Sequence, residues 1–123
     1  MIDFQNAKFF KLNETSGTFD KLLEPMLADS EMIITTYQSL RDGVVFTNKR
    51  IFAINTQGII GKKKDITSLP YSKIQAFSVE TAGTFDIDSE LELWFSGLGK
   101  ITFEFLGRNN VTKICQIISQ YTL

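Results

Sequence analysis

Four carboxylates crowd one short stretch of this chain: Asp86, Asp88, Glu90 and Glu92. Paired carboxylates can share a proton in acid–base chemistry or hold a cation. Here Asp86 and Asp88 are read as solvating a loop, while Glu90 and Glu92 decorate an exposed strand face. The run Asp86-Ile87-Asp88-Ser89-Glu90 starts like a calcium loop but lacks glycine at its sixth position and glutamate at its twelfth. The chain has no histidine, which removes the commonest general base and metal ligand and any Ser-His or Cys-His nucleophile. No catalytic residue, metal or cofactor is therefore expected. The other charged feature, Lys62, Lys63 and Lys64, follows Gly58-Ile59-Ile60-Gly61 without phosphate-loop spacing or a following helix. These lysines are read either as the solvated tip of a strand connection or, with Lys49 and Arg50 as candidate neighbours, as a weak candidate contact for anionic lipid headgroups, each worth about 1 kcal/mol near an anionic leaflet. Nucleic acid is not expected, because no aromatic platform interleaves with the lysines and the net charge is −1.

The elements that carry these residues follow from periodicity. Leu91, Leu93 and Phe95 alternate with Glu90, Glu92 and Trp94, and Ile101, Phe103 and Phe105 alternate with Lys100, Thr102 and Glu104. A period of two marks strands buried on one face. After Gly107, Val111, Ile114, Cys115 and Ile118 follow helical spacing. Pairing the hairpin symmetrically about Leu98 sets Leu93 against Phe103 and Glu92 against Glu104, a like-charge pair that destabilises a sheet. Two readings stay open: a partner surface compensates the acids and covers Trp94, or a two-residue shift relieves the clash and lays Trp94 over Lys100.

Upstream, Met32–Leu40, Val44–Phe46, Ile51–Ile54, Ile59–Ile60 and Ile74–Thr81 complete seven expected strands, with no crossover helices between them. Gly43 is expected to supply a positive φ in the turn Arg41-Asp42-Gly43, and Asn48 a left-handed residue in the next. Ser16 or Thr18 would cap a short helix carrying Phe19, Leu22 and Leu23, broken at Pro25. Residues 1–15 form a leader of uncertain structure. The composition, 43% apolar with eleven Phe and 22% charged, fits one folded domain over residues 1–123 with a filled interior. Cys115 is expected as a small buried hydrophobe. With no signal-like or membrane-length apolar run, a cytoplasmic location is expected.

Certain segments resemble the bacterial pleckstrin-homology-like (PH-like) domain family: Arg41-Asp42-Gly43-Val44-Val45-Phe46-Thr47-Asn48-Lys49-Arg50, Gln57 to Lys63, Pro70-Tyr71, and Phe77 to Leu91. The resemblance implies a mainly β, seven-stranded, bent antiparallel barrel capped by a C-terminal α-helix, and a non-enzymatic interaction module. It also implies assembly into a cyclic homo-oligomer, with five-fold symmetry favoured, that presents a polar surface to an unidentified protein partner. The candidate interaction residues are Arg41, Asp42, Lys49, Arg50, Asp86, Asp88, Glu90, Glu92, Trp94 and Glu104. The basic signature of eukaryotic pleckstrin-homology domains does not carry over, since the first hairpin loop here is Leu40-Arg41-Asp42-Gly43.

Overall fold

A computed structural model describes residues 1–58, 63–107 and 110–123. Its strands are β1 (Phe9–Thr15), β2 (Ile33–Gln38), β3 (Asp42–Thr47), β4 (Arg50–Gln57), β5 (Lys63–Pro70), β6 (Ile74–Glu80), β7 (Ser89–Phe95) and β8 (Gly99–Phe105). The helices are α1 (Asp20–Leu23) and α2 (Asn110–Thr122). One bent sheet runs β5-β4-β3-β2-β1-β8-β7-β6. Strands β2 to β5 form one antiparallel meander and β6 to β8 another. Strand β1 splices them, antiparallel to β2 but parallel to β8.

Eight strands are described where seven were expected: β5 covers residues not read as a strand, and β1 lies in the leader. Its pairing slips between Phe9 and Leu12, opposite Phe103 and Phe105, where Lys11 takes φ 56°. That bulge spaces the two inward residues three apart, so both Phe9 and Leu12 are fully buried. The earlier leader residues also pack down: Ile2 is in the core, and its N–H donates to Thr67 Oγ1 at 3.0 Å. The expected Ile59–Ile60 strand lies outside the described residues. The Lys63–Lys64 end of the basic run belongs to strand β5 rather than to a connecting tip.

Both meanders and α2 contribute to one interior. Tyr37 meets Phe46 edge-on at 5.9 Å and Phe105 at 4.9 Å, and Phe9 meets Phe103 at 5.3 Å. Val111, Ile114, Ile117 and Ile118 of α2 are buried at the open end. Ile117, rather than Cys115, completes the stripe, and Cys115 is only half-buried, contrary to expectation. Lys113 of α2 also pairs with Glu14 at 2.8 Å, but both side chains are about half exposed. Such a pair contributes at most about 1 kcal/mol, whereas each buried isoleucine contributes about 2 kcal/mol. The helix is therefore docked by hydrocarbon.

A second apolar cluster, Leu23, Val45, Phe52 and Ile54, lies apart from this interior and is covered by Phe19, Leu22 and Leu27 around α1. The helix has Phe19 at its N-cap and no side-chain cap; Thr18 donates instead to Thr15 at 3.0 Å. Pro25 starts a separate single turn, Glu24–Met26. Gly43 and Asn48 are absent from the left-handed backbone positions, correcting both turn expectations. Asn48 instead tethers residues 30–32, accepting from the Met32 N–H at 2.8 Å and donating to the Ser30 carbonyl at 3.0 Å. Gly43 is inside β3, and the Phe19 ring occupies the space where a Cβ would stand. Gly43→Ala should therefore lower stability by about 1–3 kcal/mol, measured by urea unfolding. Phe19→Leu in the same background should recover part of the loss.

Candidate functional site

The outer face of β6, β7 and β8 gathers the acidic candidates. The turn between β7 and β8 is centred on Gly97, φ 86°, with Phe95 opposite Gly99, also at φ 86°. Both glycines adopt backbone that other residues resist. The centre therefore sits one residue earlier than Leu98, and every cross-strand partner shifts by two. Leu91 faces Phe103, Leu93 faces Ile101, Glu92 faces Thr102 and Trp94 faces Lys100. Of the two open readings the two-residue shift is the one observed: Glu92 does not face Glu104, and it pairs with Lys100 Nζ at 3.0 Å.

The like-charge conflict moves rather than disappears. Glu90 now faces Glu104 on one side and Glu80 of β6 on the other. Among the described residues no cation stands within ion-pair distance of these three acids. Partial burial, then the charges of Glu80, Glu104, Glu92 and Asp86, hold the Glu90 carboxyl above its ordinary range. Glu80 was not legible from the sequence, because its place depends on the register across the loop 81–88.

About 13 Å further along β7, at the strand rise of ~3.3 Å per residue, the face changes character. Trp94 is 49% exposed and Phe10 of β1 is 41% exposed. Residues Phe4, Lys8 and Phe10 border a surface groove of about 350 Å³ with Lys100 and Thr102. Acid at one end and aromatic rings with cations at the other make the face polarised.

The remaining candidates do not join it. Arg41, in the β2–β3 turn, donates to the Gly58 carbonyl at 3.1 Å, and Asp42 accepts from Asn55 at 2.6 Å. Burial raises the Asp42 carboxyl, against the pull of Asn55 and Arg41. Lys49 is exposed in the β3–β4 turn. Arg50 is engaged within the chain: Nε and Nη2 grip Glu31 at 3.0 and 2.8 Å, Nη2 also reaches the Met26 carbonyl and Nη1 reaches Ser68. The Glu31 side chain has no solvent exposure and accepts further bonds from Thr47 and the Ala28 N–H. Asp86 and Asp88 form a local turn, with the Asp88 N–H donating to Asp86 at 3.0 Å.

Lys62 lies outside the described residues. Lys63 and Lys64 oppose Gln57 and Thr56, so as neighbours in a strand they point to opposite faces. Lys49 is about 25 Å away along β4 at ~3.3 Å per residue. These basic residues therefore do not converge. Among the described residues no cluster of His, Cys, Asp or Glu could hold a metal ion. No described helix is long and apolar enough to cross a membrane.

With the bent sheet, the capping helix and the charged outer face established, comparison with known proteins fixes the class. Residues 3–122 match the family described as Bacterial PH domain, and the chain belongs to that family. It is similar to a DUF1696 family protein with a pleckstrin-homology domain from Shewanella loihica PV-4, at 39% identity and TM-score 0.80, covering 93% of this chain and 99% of that one. A pleckstrin homology domain from Shewanella amazonensis SB2B is 43% identical with TM-score 0.66, covering 88% and 98%. In Bacillus subtilis (strain 168), the uncharacterised protein YjqA is 48% identical over 75 residues and YozO 40% over 77. These matches cover 61% and 63% of this chain, and 60% and 67% of those proteins' lengths.

Two stability measurements check these electrostatic assignments. Burial raises the Glu31 carboxyl, but its bonds to Arg50, Ala28 and Thr47 outweigh that and leave it below the ordinary value of 4.5. A depressed folded-state pKa gives stability that is complete above the ordinary value and lost as pH falls through the folded one. Arg50→Ala should cost about 3 kcal/mol near neutrality by stranding a buried carboxylate, with the cost shrinking in acid. Glu90 has the opposite sign, its charged form being disfavoured by folding. Glu90→Gln should stabilise the protein by about 0.5 kcal/mol at pH 7, with the gain vanishing as pH falls below the ordinary glutamate range.

Proposed function

We propose that this domain is a non-catalytic interaction module that assembles with copies of itself into a closed ring and presents a polar surface to another protein. The observation that carries the reading is the outer face of β6–β8, where Glu80, Glu90 and Glu104 stand in one row while Trp94 is exposed beside Lys100. A row of like charges is tolerated more easily where a second surface supplies cations, and an exposed tryptophan is a common anchor of such contacts. Every copy offers both the acidic end and the basic, aromatic end of this face. Head-to-tail contact between unlike patches closes into a ring when the rotation allows. Membership of the PH domain family supports a binding role, and the chain's lack of histidine supports the non-catalytic one.

Lipid binding through the lysines has less support, because Lys63 and Lys64 diverge to opposite faces of an edge strand. Sedimentation velocity at micromolar concentration should show a multi-chain assembly that Trp94→Glu reduces to monomer. A wild-type monomer would remove the ring. Cosedimentation with anionic vesicles at physiological salt should be negligible; strong binding abolished by Ala at Lys62, Lys63 and Lys64 would replace this reading with a membrane one.

A further inference from the structure

Strand β6 ends the sheet, with β7 on one side and no described strand on the other. An edge strand leaves a row of backbone donors and acceptors open to an added strand. Beside the C-terminal end of this edge lies a groove of about 680 Å³ between β6 and α2. Val79, Val111 and Cys115 supply its apolar floor, and Gln116, Ser119 and Thr81 its polar rim. Successive residues of β6 divide between two surfaces: Val79 is half-buried against the core, while Glu80 is exposed at the end of the acidic row.

An extended chain added to β6 would meet those two surfaces alternately. Its residue opposite Val79 would point toward the groove beside α2. The next, opposite Glu80, would extend the row Glu80–Glu90–Glu104, which among the described residues has no ion-paired cation. A positive side chain there relieves the repulsion, which a neutral one would leave unchanged and an acid would increase. We infer that the β6–α2 groove takes an extended segment of another protein in which lysine or arginine alternates with apolar residues. Main-chain hydrogen bonds would provide affinity and the alternating side chains selectivity, as in strand addition generally. The inference rests on the protein-binding half of the reading above and does not require the ring.

The probe is a fluorescent peptide of about nine residues alternating lysine with valine, a normal strand length, titrated against the full chain at physiological salt. It should bind in about the tens-of-micromolar range. A scrambled peptide of the same composition, and one with glutamate for lysine, should each bind at least about tenfold more weakly, equivalent to 1.4 kcal/mol. Gln116→Trp, which fills the groove from an exposed position, should abolish binding, and Glu80→Lys should reverse the preference for charge. Because Cys115 is the only cysteine and lines the groove, bound peptide should also slow its alkylation. Equal binding of the scrambled peptide, full binding to Gln116→Trp, or unprotected Cys115 would overturn the inference. Peptide that dissolves an assembly of the protein would also overturn it, by assigning the groove to a second copy. Trp94→Glu separates the two proposals: a monomeric variant that still binds peptide supports the groove whatever becomes of the ring.

Discussion

Neither meander could bury its own apolar face. Strands β2 to β5 offer one side of hydrocarbon and β6 to β8 another, and they meet where Tyr37 of the first packs edge-on to Phe105 of the second. The shared interior makes the rest of the geometry follow. A sheet with both halves on one core must bend, and the bend needs a splice, which β1 supplies between β2 and β8. It also leaves an open end, which α2 covers with four buried aliphatic side chains. With the inner surface filled by aromatic rings, chemistry can be presented only outside, on faces and edges whose positions the core has already fixed.

Those outer features differ in how firmly they are satisfied. Glu31 and Arg50 are closed on each other, with further hydrogen bonds from Thr47 and the Ala28 N–H and to Ser68 and the Met26 carbonyl. That cluster joins the segment after α1 to β4 and has little capacity left for a partner. The row Glu80–Glu90–Glu104 is the opposite case: its members are brought together by register, and burial together with neighbouring charge disfavours ionisation of Glu90. The first arrangement stabilises the fold. The second stores unfavourable energy on a surface, where an added cation or strand could release it.

The legible parts of the fold were those in which one physical rule acted alone. Strands β7 and β8 alternate cleanly because one face is core and the other solvent, and α2 follows helical spacing up to the exchange of Cys115 for Ile117. Strand β1 was hidden because its bulge at Lys11 sets Phe9 and Leu12 three apart, which matches neither a strand nor a helix over so short a run. Gly43 was assigned to backbone freedom when the true constraint is the Phe19 ring, a contact between residues distant in sequence. The hairpin was recognised but its register was left between two alternatives, since Gly97 and Gly99 both offer a left-handed position; the shifted one, with Trp94 opposite Lys100, is the one adopted. That choice of register decides which acids oppose each other. Arg50 as an open binding residue was misleading for a related reason: its partner Glu31 lies nineteen positions away in the chain.

In the proposed assembly the outer face of β7 is covered when the protein is at working concentration. Trp94 is the only tryptophan, so its fluorescence reports on that face alone. On dilution from about 50 µM to about 50 nM, a span that crosses ordinary assembly constants, emission should shift to the red and acrylamide quenching should rise. A spectrum and quenching constant that stay unchanged throughout, with the indole fully accessible at the highest concentration, would contradict the central claim.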